Sequence, residues 1–326
     1  MIITIKTNIN MKKYYLMAAI AIMSATNVRA QLSDETQGVG GLVLDSIYTT
    51  DSKEVRSMKY VYEYTEAKLP KVMWSLAYFD DNNSPIDEPR TVGRDTYTYD
   101  EQNRQQKRES YKESNGELRL SYIEEIAEYD AETGLPALVY AYSVDQDDPD
   151  AKPQLVQKAV TKKYHGSAGM EEVEVYQMQD GEWTLMGSIH YDYDEDGHLT
   201  RDVMSVAGLE LVTDYEYDTH GHMTRKVVKQ QTEIVGVMYE ISSIEMTFAN
   251  DYYDDGNLKT SAEYDDGAFI ETSHYFWGDG VSTAIRQMES ALETTNQFFD
   301  LNGMVKNGKP SRKGLYIYKG KKVMIK

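Results

Sequence analysis

The stretch YDYDEDGHLTRDV, residues 191–203, returns as YEYDTHGHMTRKV at residues 215–227. Two copies in one chain indicate a structural unit that is built repeatedly rather than a site formed once. In each copy a Tyr-x-Tyr-Asp segment leads into a short polar loop that ends in glycine, and a large apolar residue follows soon after. This order predicts a β-hairpin, in which two strands flank one tight turn.

Each turn residue has a physical reason to be there. Alternate side chains of a strand lie on one face, so the two tyrosines of a copy share a face. The aspartate accepts hydrogen bonds from backbone N–H groups ahead of it, and glycine adopts the positive φ that other residues avoid. The predicted turn residues are Tyr193, Asp194 and Gly197 in the first copy and Tyr217, Asp218 and Gly221 in the second.

Weaker copies extend the pattern on both sides. After Tyr99-Asp100 the glycine position holds Asn103, and asparagine tolerates positive φ. Tyr129-Asp130 and Tyr253-Asp254 lead to further glycine turns. Because helical periodicity is weak throughout this region, we predict an all-β fold. It is expected to be an extended, curved antiparallel meander of β-hairpin repeats with a small C-terminal β tail.

The Tyr-Asp and Gly-x-Leu order over about residues 97–277 resembles the tyrosine-aspartate repeats of the Rhs and YD-repeat proteins. The resemblance implies the local hairpin. The copies are irregularly spaced here, so an open sheet is expected rather than the closed shell of the large family members. The 27 tyrosines are expected to pack the sheet. The alternative is that some of them stack against sugars or peptides on an open face.

Composition limits the chemistry. The formal charge is −20, and all 54 acidic residues lie between residues 31 and 300. Such a body repels phosphate backbones and anionic lipids, so nucleic acid and membrane surfaces are not expected as partners. The chain has no cysteine, which excludes disulfides and thiolate catalysis.

One acidic motif resembles part of a metal-binding loop. Asp192, Asp194 and Asp196, followed by Gly197, match the first half of a calcium-binding loop. The twelfth position of that loop is Val203 instead of glutamate, so an ordinary turn is favoured and calcium is the alternative. No other cofactor is expected. The sequence has no Gly-x-Ser-x-Gly elbow, and we predict that the protein is not an enzyme, although a pair of carboxylates for glycoside cleavage stays open.

The N-terminus predicts export. Lys12 and Lys13 precede an apolar stretch from about Tyr14 to Met23, and Val28-Arg29-Ala30 has the small-x-small pattern of a cleavage site. Residues 1–30 therefore read as a signal peptide, with the true start at Met1 or Met11 left open. No later segment approaches the length of a transmembrane helix, so the mature chain is expected to lack one.

The C-terminal segment differs in composition from the rest of the chain, with eight basic residues and no acids after Asp300. Three short strands are predicted, within 298–303, 314–318 and 319–326. The segment from about 296 to 326 resembles the C-terminal sorting domain of type IX (Por) secretion substrates. The residues that carry this resemblance are Asp300, Gly303, Gly314, Tyr316, Gly320, Lys322 and Lys326. The alternative is a basic hairpin that caps the fold.

The sorting resemblance implies passage through the periplasm, contact with the type IX machinery, and tail removal with release or surface attachment. The expected parts are a signal peptide (1–30), a repeat body (31–278), a linker (279–295) and a sorting tail (296–326). The expected function is a non-enzymatic interaction module, outside the cell or on the outer-membrane surface, with a glycan or protein ligand. The alternatives are a secreted hydrolase acting on glycan or peptide, and a purely structural surface component.

Overall fold

The computed structural model describes residues 36–80, 82, 84–114, 116–146, 148, 150–234 and 236–280, and the backbone of four short strands after residue 297. The predicted signal peptide and most of the predicted linker lie outside these residues. The prediction of an all-β fold is confirmed, since the described helical content is one 3₁₀ turn, Val39–Gly41. No described helix is long and apolar enough to cross a bilayer.

Sixteen strands fill the body, and most are longer than the average strand of a globular protein. They are β1 Val43–Thr50, β2 Arg56–Tyr64, β3 Pro70–Phe79, β4 Pro85–Tyr99, β5 Gln105–Ser114, β6 Glu117–Tyr129, β7 Pro136–Ser143, β8 Gln154–His165, β9 Gly169–Gln179, β10 Glu182–Tyr193, β11 Leu199–Val206, β12 Leu209–Tyr217, β13 Met223–Ile234, β14 Val237–Tyr252, β15 Leu258–Asp265 and β16 Ala268–Gly278.

The strands form a closed barrel. Each strand pairs antiparallel with the next along the chain, and β16 pairs back onto β1. The closing register sets Ile47 against Tyr275 and Thr49 against Ser273. The prediction of antiparallel hairpins in chain order is therefore confirmed, and the prediction that they form an extended, open sheet is wrong. Closure satisfies the backbone edges of β1 and β16, which an open sheet would leave exposed.

The hairpin repeat explains how the ring closes. Even-numbered strands run to one end, which we call the Tyr end, and odd-numbered strands start there. Seven turns join even to odd strands at this end, from β2–β3 to β14–β15. β16 and β1 form an eighth hairpin without a connecting turn. The barrel thus contains eight equivalent hairpin units. One of them, which we call the split unit, is formed by the first and last strands, β1 and β16.

Aromatic side chains tie neighbouring units together at the Tyr end. The last or next-to-last residue of each even strand is Tyr or Trp, and seven of these eight donate a hydrogen bond to a backbone carbonyl near the start of the preceding odd strand. The bonds are Tyr64 to Leu44, Tyr99 to Pro70, Tyr129 to Gln105, Tyr164 to Pro136, Tyr193 to Met170, Tyr217 to Leu199 and Trp277 to Leu258. Tyr252, the eighth, bonds to Asp218.

We expect Tyr193→Phe to lower the free energy of unfolding by about 1 kcal/mol, because it removes the 3.0 Å bond to Met170 and leaves that carbonyl without its partner. Burial raises the pKa of the Tyr193 hydroxyl to about 12. The matched control is Tyr176→Phe, whose hydroxyl donates to the surface carboxylate of Glu174, and we expect less than about 0.5 kcal/mol there. Urea unfolding measures both. Equal losses would contradict the anchoring role.

The two faces of the barrel wall differ in polarity. Val173, Ile189 and Met204 lie opposite one another on β9, β10 and β11, and each is at most 2% exposed. Their sequence neighbours His190 and Asp192 point to the other face and are about half exposed. We call the buried side the inner face and the charged side the outer face. The apolar core, drawn mainly from β6 to β11, lines the inner face.

The segment before β1 is hydrogen-bonded to the two turns on either side of the split unit. The Val39 amide donates to Asn257 Oδ1 at 2.6 Å, and Lys68 Nζ donates to the Gly41 carbonyl at 2.6 Å. Asn257 and Lys68 belong to the two turns that flank the β16–β1 pair. These contacts connect the neighbouring turns across the end of the β16–β1 pair, which has no turn of its own.

The tail forms a separate four-stranded sheet, of order β18-β17-β19-β20. Its strands are β17 Phe298–Phe299, β18 Val305–Lys306, β19 Gly314–Tyr318 and β20 Lys321–Ile325. Three strands were expected, and the added one is β18, which pairs with β17. Gly314, Tyr316 and Lys322 lie in this sheet. Asp300, Gly303, Gly320 and Lys326 lie outside the described residues, and the sorting role stays a prediction.

Candidate functional site

The repeat turns form as the sequence predicts. Asp194 Oδ1 accepts hydrogen bonds from the backbone N–H groups of Asp196 (3.0 Å) and His198 (2.8 Å). Asp218 Oδ1 accepts the equivalent pair in the second copy. Gly197 and Gly221 take the left-handed position, with φ of +86° and +80°. The Tyr-Asp-Gly pattern therefore encodes turn geometry.

Histidines add to the packing at the Tyr end. The ring of His165 stacks on Tyr193 at 5.6 Å between centroids, and that of His198 stacks on Tyr217 at 5.1 Å. His220 stacks on Tyr252 at 4.2 Å. His198 and His220 lie in the turns after β10 and β12, and His165 is the last residue of β8, directly before the next turn. The repeated placement indicates a structural role for them.

The structure separates the predicted calcium ligands. Asp192 lies on the outer face of β10, where it is hydrogen-bonded to His190 at 3.1 Å. Asp194 and Asp196 are instead grouped with His198, and one ligand atom from each lies within 4.8 Å of the others. Asp194 already accepts two backbone bonds and a third from the His198 ring. Its oxygens are therefore committed to the turn.

We expect no calcium binding at this turn. A calorimetric titration of the chain with millimolar calcium should give no saturable heat and no rise in melting temperature, because binding would break the turn bonds of Asp194. A saturable heat that Asp196→Asn abolishes would contradict this reading. The matched control is Asp255→Asn, since that aspartate holds an equivalent turn through the Asn257 amide.

A concave site lies at the opposite end of the barrel, on the outer face where β1, β2 and β16 meet. Its volume is about 610 Å³. We call it the Tyr48 pocket, and its principal lining residues are Tyr48, Thr50, Glu54, Arg56, Thr272 and His274. Barrel closure creates it, since the pairing of β1 with β16 sets Tyr48 against His274.

An aromatic stack forms the wall of the Tyr48 pocket. The rings of Tyr48 and His274 are 4.5 Å apart and nearly parallel, and Phe276 extends the stack at 5.5 Å from Tyr48. The guanidinium of Arg56 lies 4.8 Å from the Tyr48 centroid. It also donates a 3.4 Å hydrogen bond to the Tyr78 hydroxyl. The pocket thus presents a cation held against aromatic faces.

The polar atoms of this pocket are arranged for hydrogen bonding at neutral pH. Thr50 Oγ1 and His274 Nε2 are 3.1 Å apart. Burial lowers the pKa of His274, the Arg56 charge lowers it further, and Glu54 opposes both. The imidazole is therefore neutral at pH 7, and it can accept one hydrogen bond and donate another.

Two rows of aromatic and basic side chains also cross the outer face. In one, Lys158 Nζ lies 4.8 Å from the ring centroids of both Tyr176 and Trp183. In the other, Arg94 lies over Tyr111 at 4.2 Å and over Trp74 at 5.5 Å. Neither row is concave, so the Tyr48 pocket is the better candidate for a ligand site.

Buried charges occur on the inner face. Arg108 Nη2 donates to Asp95 Oδ2 at 2.8 Å, and Arg108 is paired across the strands with Glu124, which is only 2% exposed. One oxygen of Glu124 has no hydrogen-bond partner among the described residues. Burial raises the pKa of Glu124 to about 7, although the Arg108 charge opposes the shift. None of these three residues lines the Tyr48 pocket.

Sequence reasoning missed the Tyr48 pocket. Tyr48, Arg56 and His274 form no motif in the sequence. More than 200 residues separate Arg56 from His274. Only barrel closure brings them together, and no local motif signals it.

No protein-family model matches the chain, and no curated protein sequence matches it. Among solved structures, it is similar to a protein of unknown function from Bacteroides fragilis NCTC 9343. That similarity has 17% identity and a TM-score of 0.30, and it covers 40% of this chain and 89% of that one.

The chain is also similar to a porin-like protein from Bacteroides uniformis ATCC 8492, with 11% identity, a TM-score of 0.35 and coverage of 72% of this chain and 98% of that one. A third similarity is to the TcdB2-TccC3-TEV structure, with 8% identity and a TM-score of 0.20. It covers 66% of this chain and 16% of that one. Similarities at this level assign neither a family nor a function.

Proposed function

We propose that this is an exported, non-enzymatic binding protein whose Tyr48 pocket holds a saccharide ligand. The signal peptide and the sorting tail expected from the sequence support export by the type IX route to the cell exterior or the outer-membrane surface. The ligand proposal rests on the pocket itself.

The polarity of the barrel wall supports a barrel surrounded by water. Outer-face ion pairs run across neighbouring strands: Arg225 contacts Glu216 at 2.6 Å and Glu245 at 2.8 Å, and Lys229 contacts Asp214 at 3.1 Å. A charged side chain on a lipid-facing wall costs about 2–4 kcal/mol at the bilayer midplane. A wall with charges outside and an apolar core inside therefore favours aqueous surroundings.

One observation carries the ligand proposal, namely that a cation, a carboxylate and an aromatic stack line the same concave site. Arg56 can donate to sugar hydroxyls and Glu54 can accept from them, while the aromatic side chains of Tyr48 and Phe269 in the lining suit the apolar side of a pyranose ring. The lining carries two carboxylates, Asp51 and Glu54, and one cation, Arg56, so a neutral saccharide fits better than one that carries a carboxylate.

Arrayed saccharides, acidic and neutral, test this proposal with the purified chain. We expect binding to neutral saccharides that falls at least about tenfold in Arg56→Gln, which corresponds to roughly 1.4 kcal/mol. Lys53→Gln is the matched control, since Lys53 lies in the same turn and does not line the pocket. Absence of binding, or binding that Arg56→Gln leaves unchanged, would refute the proposed ligand site.

A second candidate is hydrolysis of a glycan or peptide. The 3.1 Å contact between Thr50 Oγ1 and the neutral His274 ring has the geometry of a nucleophile and its base. Turnover of chromogenic substrates that is lost in Thr50→Val would favour it. Binding without turnover supports the non-enzymatic function.

The export proposal has its own test. Deletion of residues 314–326 removes β19 and β20, and we expect the body then to accumulate in the periplasm instead of outside the cell. Detection of the body outside in unchanged amount would contradict a sorting role for the tail.

A further inference from the structure

Strand β14 has one edge that its neighbours do not cover. It pairs with β13 from Val237 onward, but its pairing with β15 starts only at Met246. The β13–β14 hairpin thus extends past the β15–β16 hairpin at the end opposite the Tyr end. Within the part of the barrel that the structure describes, residues 237–244 have a strand neighbour on one side only, since the Glu245 carbonyl already accepts a hydrogen bond from the Asp266 amide. We call this stretch the β14 edge.

The β14 edge is apolar and exposed on both of its faces. All residues from 237 to 244 are exposed. Five of them are large apolar side chains with exposed fractions between 41% and 55%: Val237, Met238, Tyr239, Ile241 and Ile244. The one acid of the stretch is Glu240, and Glu245, directly after the stretch, is paired with Arg225. Such a patch is unusual in a chain this acidic.

Natural proteins protect an exposed strand edge with lysine, proline or a bulge. The β14 edge has neither lysine nor proline. It does have a bulge, because the register shifts between Gln230 and Gln231 and leaves Ile241 without a partner on β13. Between this bulge and the β13–β14 turn, the four residues from Val237 to Glu240 pair with β13 on one side and have an open edge on the other.

The edge is complementary to itself. Antiparallel pairing about a two-fold axis at Ile241 sets Met238 opposite Ile244 and Tyr239 opposite Ser243. Glu240 then lies opposite Ser242, so no acid opposes an acid. A two-fold interface of this kind uses the same patch on both subunits. We propose that the β14 edge pairs with the β14 edge of a second copy of this chain.

The exposed area fits a weak dimer. The five apolar side chains expose on the order of 500 Å² in one copy, so two copies would bury at most about 1,000 Å², which is the lower bound for a specific interface. Backbone hydrogen bonds across the new strand pair would add to this apolar burial. The dimer joins two barrels at their ends opposite the Tyr ends.

Size-exclusion chromatography with light scattering on the purified chain tests the proposal. The wild-type chain should show twice the monomer mass at high micromolar concentration and dissociate on dilution, and Ile241→Lys should stay monomeric. The control is Val39→Lys, at a similarly exposed position (56%) near the Tyr end, and it should dimerise like wild type. Unchanged circular dichroism and melting temperature in Ile241→Lys would show that its barrel is intact.

Cross-linking locates the axis. Since the chain has no cysteine, Ile241→Cys introduces a single thiol. Air oxidation should give a covalent dimer from Ile241→Cys and none from Val39→Cys. A monomeric wild-type chain at all concentrations would overturn the proposal and leave a different strand as the occupant of the edge. A dimer that survives Ile241→Lys would overturn it as well.

Discussion

Tyr191→Ala is expected to lower the free energy of unfolding by about 3–5 kcal/mol, the usual cost of removing a large aromatic side chain from a packed core. Tyr191 is 1% exposed and belongs to the apolar core of the inner face. Truncation would leave a cavity among neighbours such as Ile189 and Met204 and would also expose the buried carboxylate of Asp202, which is paired across the strands with Tyr191. Urea unfolding monitored by circular dichroism measures the loss.

The control for this prediction is His190→Ala, one residue earlier on the same strand. His190 points to the outer face and is about half exposed, so its loss should cost less than about 0.5 kcal/mol. The ratio of the two effects tests the assignment of inner and outer faces. Similar losses from both variants would show that β10 does not have one buried side.

The second large effect is a pH dependence of stability from Glu124. Its pKa is raised from an ordinary value near 4.5 to about 7, first by burial and then by Asp95, against the opposing charge of Arg108. The folded state thus binds the proton more tightly than the unfolded state. The stabilising contribution is fully present below about pH 4.5 and is lost as pH rises through 7, at a cost of roughly 3 kcal/mol.

Glu124→Gln isolates this contribution from the other titrating groups. At pH 8 the variant should be more stable than wild type, by roughly 2 kcal/mol, because glutamine carries no buried charge. At pH 4, below the unfolded pKa, the difference should be close to zero. Glu125→Gln is the control, since Glu125 lies on the outer face and bonds to Tyr142 at 3.2 Å. A pH-independent difference for Glu124→Gln would contradict the raised pKa.

The local structure could be predicted because it depends on residues close in sequence. Asp194 accepts from the amides two and four positions ahead, and the glycine position demands positive φ. Even the degenerate copy follows this logic, since Asn103 has φ of +62°. Strand pairing across each turn is fixed by the same few residues.

Barrel closure could not be predicted, because it depends on contacts between distant residues. Val43 and Gly278 pair although 235 positions separate them in the sequence. The sequence shows two clear copies of the unit, while the structure has eight. In the degenerate copies Tyr64, Tyr164 and Trp277 keep the aromatic anchor but lack the aspartate after it. The anchor to the preceding strand, rather than the Tyr-Asp pair, is what seven of the eight units share.

The candidate site escaped prediction for the same reason. Arg56 ends one turn and His274 lies in the last strand, and each alone looks like an ordinary surface residue. The polarity of the two faces could not be predicted either. The alternation of apolar and polar residues along one strand does not show which face lies inside a closed barrel.

The closing pair of strands tests the central claim most directly. Thr49 and Ser273 are cross-strand partners on β1 and β16, within the Cα separation that a disulfide spans. In this cysteine-free chain, Thr49→Cys combined with Ser273→Cys should oxidise to one intramolecular disulfide, identified by mass spectrometry of the linked peptides. Thr49→Cys with Ser261→Cys, one strand farther away, should not. A closed ring predicts the first bridge, and its absence under oxidising refolding, with both thiols free in a folded chain, would contradict closure.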